Sequence, residues 1–594
     1  MRNSRMRIAA GAAVLLALAG AVAGCKSDAP PDKPPAGPDT AKPAVEEEPA
    51  GPCPFEDVTA KSGIALTYKN GEDANNYAII ESLGGGVCLF DYDGDGLLDV
   101  FLPGGGFYEG KTVRGHPCKL YRNKGNFQFE DVTAQVGLDQ IAFQYSHGAA
   151  AFDYDRDGRL DLLVTGYNRL VLLRNETGAA GTITFVEVTK KAGLTETLWS
   201  TSAAWGDLDG DGYPELYVCH YGDWGFETNH PTDCTYGGPR DVCQPRKFKP
   251  LPHTLYKNNG DGTFADITAA QKLRADGRGI GAVLVDLDND GRPDVYTAND
   301  TDDNFLYMNR GERGKIVLDE VGLLAGVARD DRGVQNGSMG LGIGDYDRGG
   351  RASIVVTNYE NELPALYQNR TEGRSARFTF ATLQSGLAAV GSSYVSWGTG
   401  FFDFDRDGWD DLLIVSGHAI RFPTKLDRRQ RPVLARNTEG KLKPLASRGW
   451  NYFGQPHNAR GAAFGDLDND GRVDVVVSHL NEPVVVLRNV SATQNRNWIG
   501  FRLIGTKGAD AVGARVVLET AGGKQTKFQQ GGASYASTND PRLLFGMGAD
   551  AKIAKATVYW PSGKVQELTD LQPGAYYDVP EGEAPKRVAA PKNP

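Results

Sequence analysis

Short apolar runs alternate with acidic, glycine-rich turns along this chain, and the same four-part unit recurs between residues 53 and 492. Each unit opens with a strand of small residues: GGGVCLF, GAAAF, TSAAWG, GAVLV, GLGIG, GTGFF and GAAFG. After an aspartate-rich turn comes a continuous apolar stretch, such as DVFL, DLLVT, LYVC or DVVVS. An unbroken run of this length predicts a strand covered on both faces, whereas a half-exposed strand would alternate. A third stretch ends in Asn: LYRN, LLRN, LYKN, LYMN, LYQN, LARN and VLRN. A fourth reads FEDVTAQVGL at 129–138, FVEVTKKAGL at 185–194, FADITAAQKL at 264–273 and FTFATLQSGL at 378–387, with weaker copies at 317–324 and 442–450.

The turns themselves are DYDGDGLLD at 91–99, DYDRDGRLD at 153–161, DLDGDGYPE at 207–215, DLDNDGRPD at 286–294, DYDRGGRAS at 345–353, DFDRDGWDD at 403–411 and DLDNDGRVD at 466–474. Their first aspartates lie 62, 54, 79, 59, 58 and 63 residues apart. Four strands per unit at this period predict an all-β fold, a seven-bladed β-propeller over 53–492 followed by a small β-rich domain at 497–580. No fourth strand follows the seventh turn, but a copy, FEDVTAKSGI, stands at 55–64. We therefore expect the N-terminal segment to complete the last blade, which closes the ring and removes its free edges.

Calcium takes six to eight hard oxygen ligands at about 2.3–2.6 Å. Positions 1, 3, 5 and 9 of six turns supply carboxylates: Asp91, Asp93, Asp95 and Asp99; Asp153, Asp155, Asp157 and Asp161; Asp207, Asp209, Asp211 and Glu215; Asp286, Asp288, Asp290 and Asp294; Asp403, Asp405, Asp407 and Asp411; Asp466, Asp468, Asp470 and Asp474. Unneutralised, two such groups repel by about 4 kcal/mol at an intermediate dielectric. We expect about six calcium sites. A helix-flanked EF-hand loop needs Glu at position 12, and here that position is Leu102, Val164, Val218, Thr297, Ile414 or Val477. In the fifth turn Gly349 and Ser353 replace two acids, so that loop is expected to hold an ion weakly or not at all.

The formal charge of −11 argues against nucleic acid as a partner, because phosphate binding needs a basic face. Arg2, Arg5 and Arg7 precede a short apolar run at 8–21 that ends in Val22-Ala23-Gly24-Cys25. This resembles a bacterial lipobox, and 1–24 is expected to be a lipoprotein signal peptide with lipidation on Cys25. Residues 25–52 would be a Pro-rich tether, the anchor the only membrane contact, and the location the periplasm or the cell surface. Residues 581–594 are expected to be a disordered tail. Cys234 and Cys243, within one loop insertion, are the expected disulfide.

These repeats resemble the FG-GAP/VCBS repeats of integrin α-subunit propellers. Residues 497–580 carry NWIGFRLIG, VGARVVL, GGASYASTNDPRLLFGMG and VYWPSGKVQEL, which resemble the ASPIC/UnbV domain of the cartilage acidic protein family. Met547 stands where that family usually has Leu. The resemblance implies calcium in the hairpin turns and a place outside the cytoplasm, but no particular ligand.

The calcium turns should lie on one face of the ring. The opposite face should gather His220, Trp224, Asp300, Asn358, His418 and His479, together with an insertion at about 222–253, as a candidate ligand face. The sequence holds no nucleophile elbow, no HExxH and no phosphate-cradling loop. The expected function is a surface binding or adhesion module for a protein or polysaccharide ligand. The alternative is an enzyme with its site on the axis, opposite the calcium turns.

Overall fold

The computed structural model describes residues 51–178, 181–508 and 511–588. The leader, Cys25 and most of the tether lie outside the described residues. Seven four-stranded antiparallel sheets form the blades, six of them taken in chain order from axis to rim. Their inner strands are Cys88–Phe90, Ser146–Phe152, Ser200–Gly206, Gly279–Val285, Leu341–Gly344, Ser396–Phe402 and Ala459–Gly465. Each inner strand touches the next, and the last touches the first, so the ring closes with seven blades. The second strands, such as Asp161–Gly166 and Asp474–His479, are buried at every position, which is why their sequences are unbroken apolar runs.

The outer strand of the seventh blade is Phe55–Asp57, paired antiparallel with Val485–Asn489 as Phe55↔Asn489, Glu56↔Arg488 and Asp57↔Leu487. The first blade carries an extra hairpin, Gly106–Glu109 with Thr112–Gly115, between its second and third strands.

The asparagine that ends each third strand has a specific task. Its amide donates to a backbone carbonyl of the preceding blade's acidic turn: Asn123 to Leu467, Asn175 to Tyr92, Asn258 to Tyr154, Asn309 to Leu208, Asn369 to Leu287, Asn437 to Tyr346 and Asn489 to Phe404, all at 2.7–2.8 Å. Seven latches thus run once round the ring, the first of them bridging blade one to blade seven. Each satisfies a buried carbonyl of the turn, and the Phe404 carbonyl also accepts Ser491 Oγ (2.7 Å).

The C-terminal domain stacks two sheets. One has the order Leu543–Gly546, Trp498–Ile504, Ala575–Pro580, Lys586–Arg587, and the other Gly523–Phe528, Arg515–Thr520, Ile553–Tyr559, Val565–Leu568. Ile499, Phe501, Val516, Leu518, Phe545, Val558 and Trp560 fill the space between them. The tail expected from 581 onward instead begins with ordered chain. Tyr577↔Arg587 and Asp578↔Lys586 add a short edge strand, and the Val588 N–H donates to the Tyr576 carbonyl at 2.8 Å.

Between Phe528 and Leu543 this domain sends a peg into the axis of the propeller. Inner strands have one edge facing the axis, and the peg supplies hydrogen-bond partners there. Gly531 and Leu284 exchange two backbone bonds (2.8 and 2.9 Å), as do Ser534 and Leu341 (2.8 Å each). The Thr538 N–H donates to Val87, the Leu89 N–H to Thr538, and the Asp540 N–H to Phe464, at 2.9–3.0 Å. The Thr399 N–H donates to Ser534 Oγ at 3.1 Å, and Thr538 Oγ1 to the Ala149 carbonyl at 3.0 Å. The third blade is met at Gly531, where a Cβ would lie 1.7 Å from the Trp205 carbonyl oxygen; only glycine fits. All seven blades are therefore touched by one stretch of about twelve residues.

Candidate metal centres and the opposite face

The acidic turns share one geometry. The position-1 aspartate accepts the N–H of position 6 in every turn and that of position 5 in all but the third and fifth, for example Asp153 from Asp157 (3.1 Å) and Gly158 (2.9 Å), and Asp466 from Asp470 (3.0 Å) and Gly471 (2.7 Å). Glycine at position 6 has positive φ in every turn, from 75° at Gly350 to 97° at Gly212. The position-9 carboxylate is buried and accepts two backbone N–H groups, one from position 2 and one from the latch asparagine. Asp99 takes Tyr92 (3.0 Å) and Asn123 (2.8 Å), and Asp474 takes Leu467 (2.9 Å) and Asn489 (2.8 Å). One carboxylate thus ties the metal-turn geometry to the blade-to-blade latch.

Candidate ligand oxygens converge within 4.8 Å of one another in the sets Asp91, Asp93, Asp99; Asp153, Asp155, Asp161; Asp207, Asp209, Glu215; and Asp286, Asp288, Asp290. Burial pushes the carboxyls upward, Asp161 to about 8, Asp286 and Asp466 to about 7, and Asp153 and Asp207 to about 6. In each case neighbouring acids add to the rise. The position-3 aspartate faces a base from the end of the third strand: Arg122 on Asp93 (2.6 Å), Arg174 on Asp155 (2.6 Å), Lys257 on Asp209, Arg310 on Asp288 (2.8 Å) and Arg488 on Asp468 (3.3 Å). That base offsets one of four negative charges. The Asp288 side chain is 1% exposed, yet among the described residues its Oδ1 has no hydrogen-bond partner, and neither has Oδ1 of Asp155. A buried carboxylate oxygen with no donor, set among other carboxylates, fits a hard divalent cation.

The fifth turn keeps its shape while losing this chemistry. Asp345 still accepts the Gly350 N–H (2.9 Å), and Ser353 Oγ takes over the N–H of Asn369 (3.1 Å). Asp347 meets the neutral amide of Gln368 where other blades place a base. Acids and base have been lost together.

The C-terminal domain sits on these turns. Tyr576 Oη donates to Asp466 Oδ2 (2.7 Å), Arg542 to the Asp466 carbonyl (2.9 Å), Arg496 pairs with Asp405 (2.7 Å) and Lys527 with Asp410 (2.6 Å). Trp498 packs on Tyr576 with ring centroids 5.1 Å apart.

On the opposite face the six candidate ligand residues each have partners within the protein. His220 is buried against Glu196 (3.2 Å), and Trp224 donates to His230 (3.2 Å). Asp300 accepts the Tyr221 hydroxyl (2.6 Å), and Asn358 donates to the Leu363 carbonyl (2.7 Å). His418 lies 3.6 Å from Glu360, while His479 bonds Tyr452 Oη (2.9 Å) and the Pro483 carbonyl (2.7 Å). The three histidines are held by different neighbours. Burial drives all three down, His418 and His479 to about 4. The axis, where the alternative reading set an enzyme's site, is filled by the peg and by an aromatic core of Tyr68, Tyr145, Trp199, Tyr221, Trp397 and Tyr535.

The insertion closes over this mouth, with Cys234 and Cys243 disulfide-bonded. Tyr77 lies between two guanidinium groups, Arg240 and Arg421, at 4.9 and 4.5 Å. Arg421 also pairs with the buried Glu81. These residues sit outside the repeat, and no periodicity in the sequence marks them.

The sequence matches the FG-GAP-like repeat over 91–164, 153–218, 252–297 and 403–477, and the ASPIC and UnbV family over 505–586. Cartilage acidic protein 1 of Xenopus tropicalis is 24% identical, covering 81% of this chain and 70% of its own length. The human protein of that name is 26% identical, covering 72% and 70%. This chain is a homologue of cartilage acidic protein 1. The matched FG-GAP stretches do not reach the degenerate fifth turn, and the ASPIC and UnbV match spans the peg and runs to the edge strand at Lys586. Among solved structures, the Dos1 propeller aligns at 11% identity over 72% of this chain and 96% of its own, with a TM-score of 0.35.

Proposed function

We propose that this homologue of cartilage acidic protein 1 is an exported, lipid-anchored binding module whose ring is clamped by about six calcium ions and whose opposite face recognises a protein or polysaccharide. The observation that carries the calcium reading is the convergence of three carboxylates per turn on a buried, donorless oxygen at Asp155 and Asp288. The recognition reading rests on the location of the irregular chain. Rigid sheets carry long insertions on one face only, and loops on a rigid scaffold are where ligands usually bind. An axial enzyme site finds no support, because the chain's own side chains fill the axis.

The experiment is capture by full-length protein on panels of glycans and envelope proteins, in calcium and in EGTA. Saturable capture that depends on calcium supports the reading. Chemical turnover of a panel member, without stable capture, contradicts it. Cys25→Ser should move the protein from the membrane fraction to the soluble fraction; retention at the membrane would remove the lipid anchor from the account.

A further inference from the structure

The peg joins the two faces of the propeller. At its base the C-terminal domain grips the acidic turns. Arg542 forms a two-pronged pair with Asp540 (2.8–3.0 Å) and reaches the Asp466 carbonyl, and Arg515 approaches Asp286 (3.7 Å). At its tip Tyr535 is 1% exposed. Its hydroxyl donates to the Leu83 carbonyl (2.8 Å), and its ring stands edge-on to Trp397 with centroids 4.9 Å apart.

Leu83 ends a short turn, Ile79–Ser82, on which the far mouth is assembled. Arg460 Nε donates to the Ser82 carbonyl (2.9 Å), and a ring nitrogen of His147 meets the Gly84 carbonyl (3.0 Å). Tyr145 Oη donates to Ile80 (3.3 Å), and the Asn70 amide to Glu81 (2.8 Å). Arg460 is fully buried, and among the described residues no carboxylate pairs with it. It stacks on Trp397 (4.2 Å) and spends its other donors on Gly417, His418, Ala459 and Asn458. Glu81 holds Arg421, and the backbone N–H groups of Arg421 and Phe422 donate to Asp241 in the insertion (3.0 and 2.7 Å). A continuous packed and hydrogen-bonded path therefore runs from Tyr535 through 79–84 to 418–422 and the insertion.

The peg enters and leaves through the same face, since Phe528 and Leu543 both belong to the C-terminal domain. It can seat or withdraw without threading a chain end. The seated peg lies tight against the ring: a Cβ added at Gly86 would lie 1.8 Å from the Ala536 carbonyl oxygen, and one at Gly531 would lie 1.7 Å from that of Trp205. Coupling between distant sites is carried by contiguous packed and hydrogen-bonded chains of this kind.

We propose that the peg is a lock between the faces. Seating of the C-terminal domain on the acidic turns fixes, through Tyr535, the mouth formed by 79–84, 418–422 and the insertion. Recognition at that mouth is then conditional on cation loading at the turns. This last step rests on the calcium reading above; the mechanical link does not.

The test is hydrogen exchange on full-length wild type, Tyr535→Ala, Tyr535→Phe and Arg542→Ala, each with calcium stoichiometry measured in parallel. Tyr535→Ala should speed exchange at 79–84 and 418–422 by about tenfold or more while binding as many calcium ions as wild type. Tyr535→Phe keeps the ring and loses only the bond to Leu83, so its effect should be smaller. Arg542→Ala, at the other end of the peg, should loosen the same mouth segments. EGTA should do so in wild type and add little in Tyr535→Ala. Unchanged mouth exchange in both Tyr535→Ala and Arg542→Ala overturns the lock. If these variants loosen the mouth but EGTA does not, the lock stands and the calcium reading falls. Should Tyr535→Ala not fold, Tyr535→Leu and Arg542→Ala carry the same comparison.

Discussion

The two faces of this propeller are built on opposite plans. The turn face is a pattern stamped seven times, with an aspartate turn and a latch asparagine in every blade and a base and a position-9 acid in all but the fifth. The mouth is assembled once, from a hairpin in blade one, an insertion in blade three, a loop in blade six and the turn at 79–84. Burial shifts the titratable groups of both. On the turn face it raises carboxyls that a divalent cation would restore to the charged form. At the mouth it lowers histidines that the fold keeps neutral. The mouth also raises its carboxyls, Glu81 to about 7 and Asp300 to about 6, but it already holds guanidinium groups at Arg421 and Arg460, whereas each full turn sets four acids against one base.

The largest effect should come from breaking a latch where the ring is sewn shut. Asn123→Ala leaves the buried Leu467 and Leu98 carbonyls without their donor and should cost on the order of 2–4 kcal/mol in thermal or chemical unfolding. A loss within experimental error would mean that the latches are incidental. Next comes a paired test across blades. Asp288→Ala should remove one bound calcium and lower Tm by a few degrees, while Asp347→Ala in the degenerate fifth turn should change neither. Equal losses would erase the distinction between the fifth turn and its neighbours.

The smallest effect is in pH. His147 accepts the Trp199 N–H at 2.9 Å and is held down to about 4 by burial. A group lowered from an unfolded value near 6.5 contributes its full stability above that value and loses it as pH falls toward 4. In saturating calcium, Tm should therefore fall between pH 7 and 5, and His147→Gln should flatten that fall. An unaltered slope in the variant would assign the pH dependence elsewhere.

What could be read in the sequence follows the same division. Seven blades, the closing strand at 55–57, the Cys234–Cys243 bond and the degenerate fifth turn were all legible, because repetition averages out local accident. The asparagines and bases of the third strand were visible as letters, but their task appears only when adjacent blades are in place. The string GGASYASTND contains the peg but does not disclose its role, since its partners lie up to about 450 residues away in the chain. Tyr535 sits inside the propeller and not in its own domain's core. Arg460 could not be foreseen, because a buried arginine satisfied by carbonyls leaves no charge partner to look for. His220, His418 and His479 stand at blade ends facing the mouth, where neighbouring blades supply them with separate partners.

The central claim is that cations sit in the turns, and a calcium titration of metal-stripped, full-length protein tests it most directly. Calorimetry should return close to six sites, with Tm rising on the order of 10 °C from EGTA to saturating calcium. An absence of binding heat together with an unmoved Tm would contradict the account.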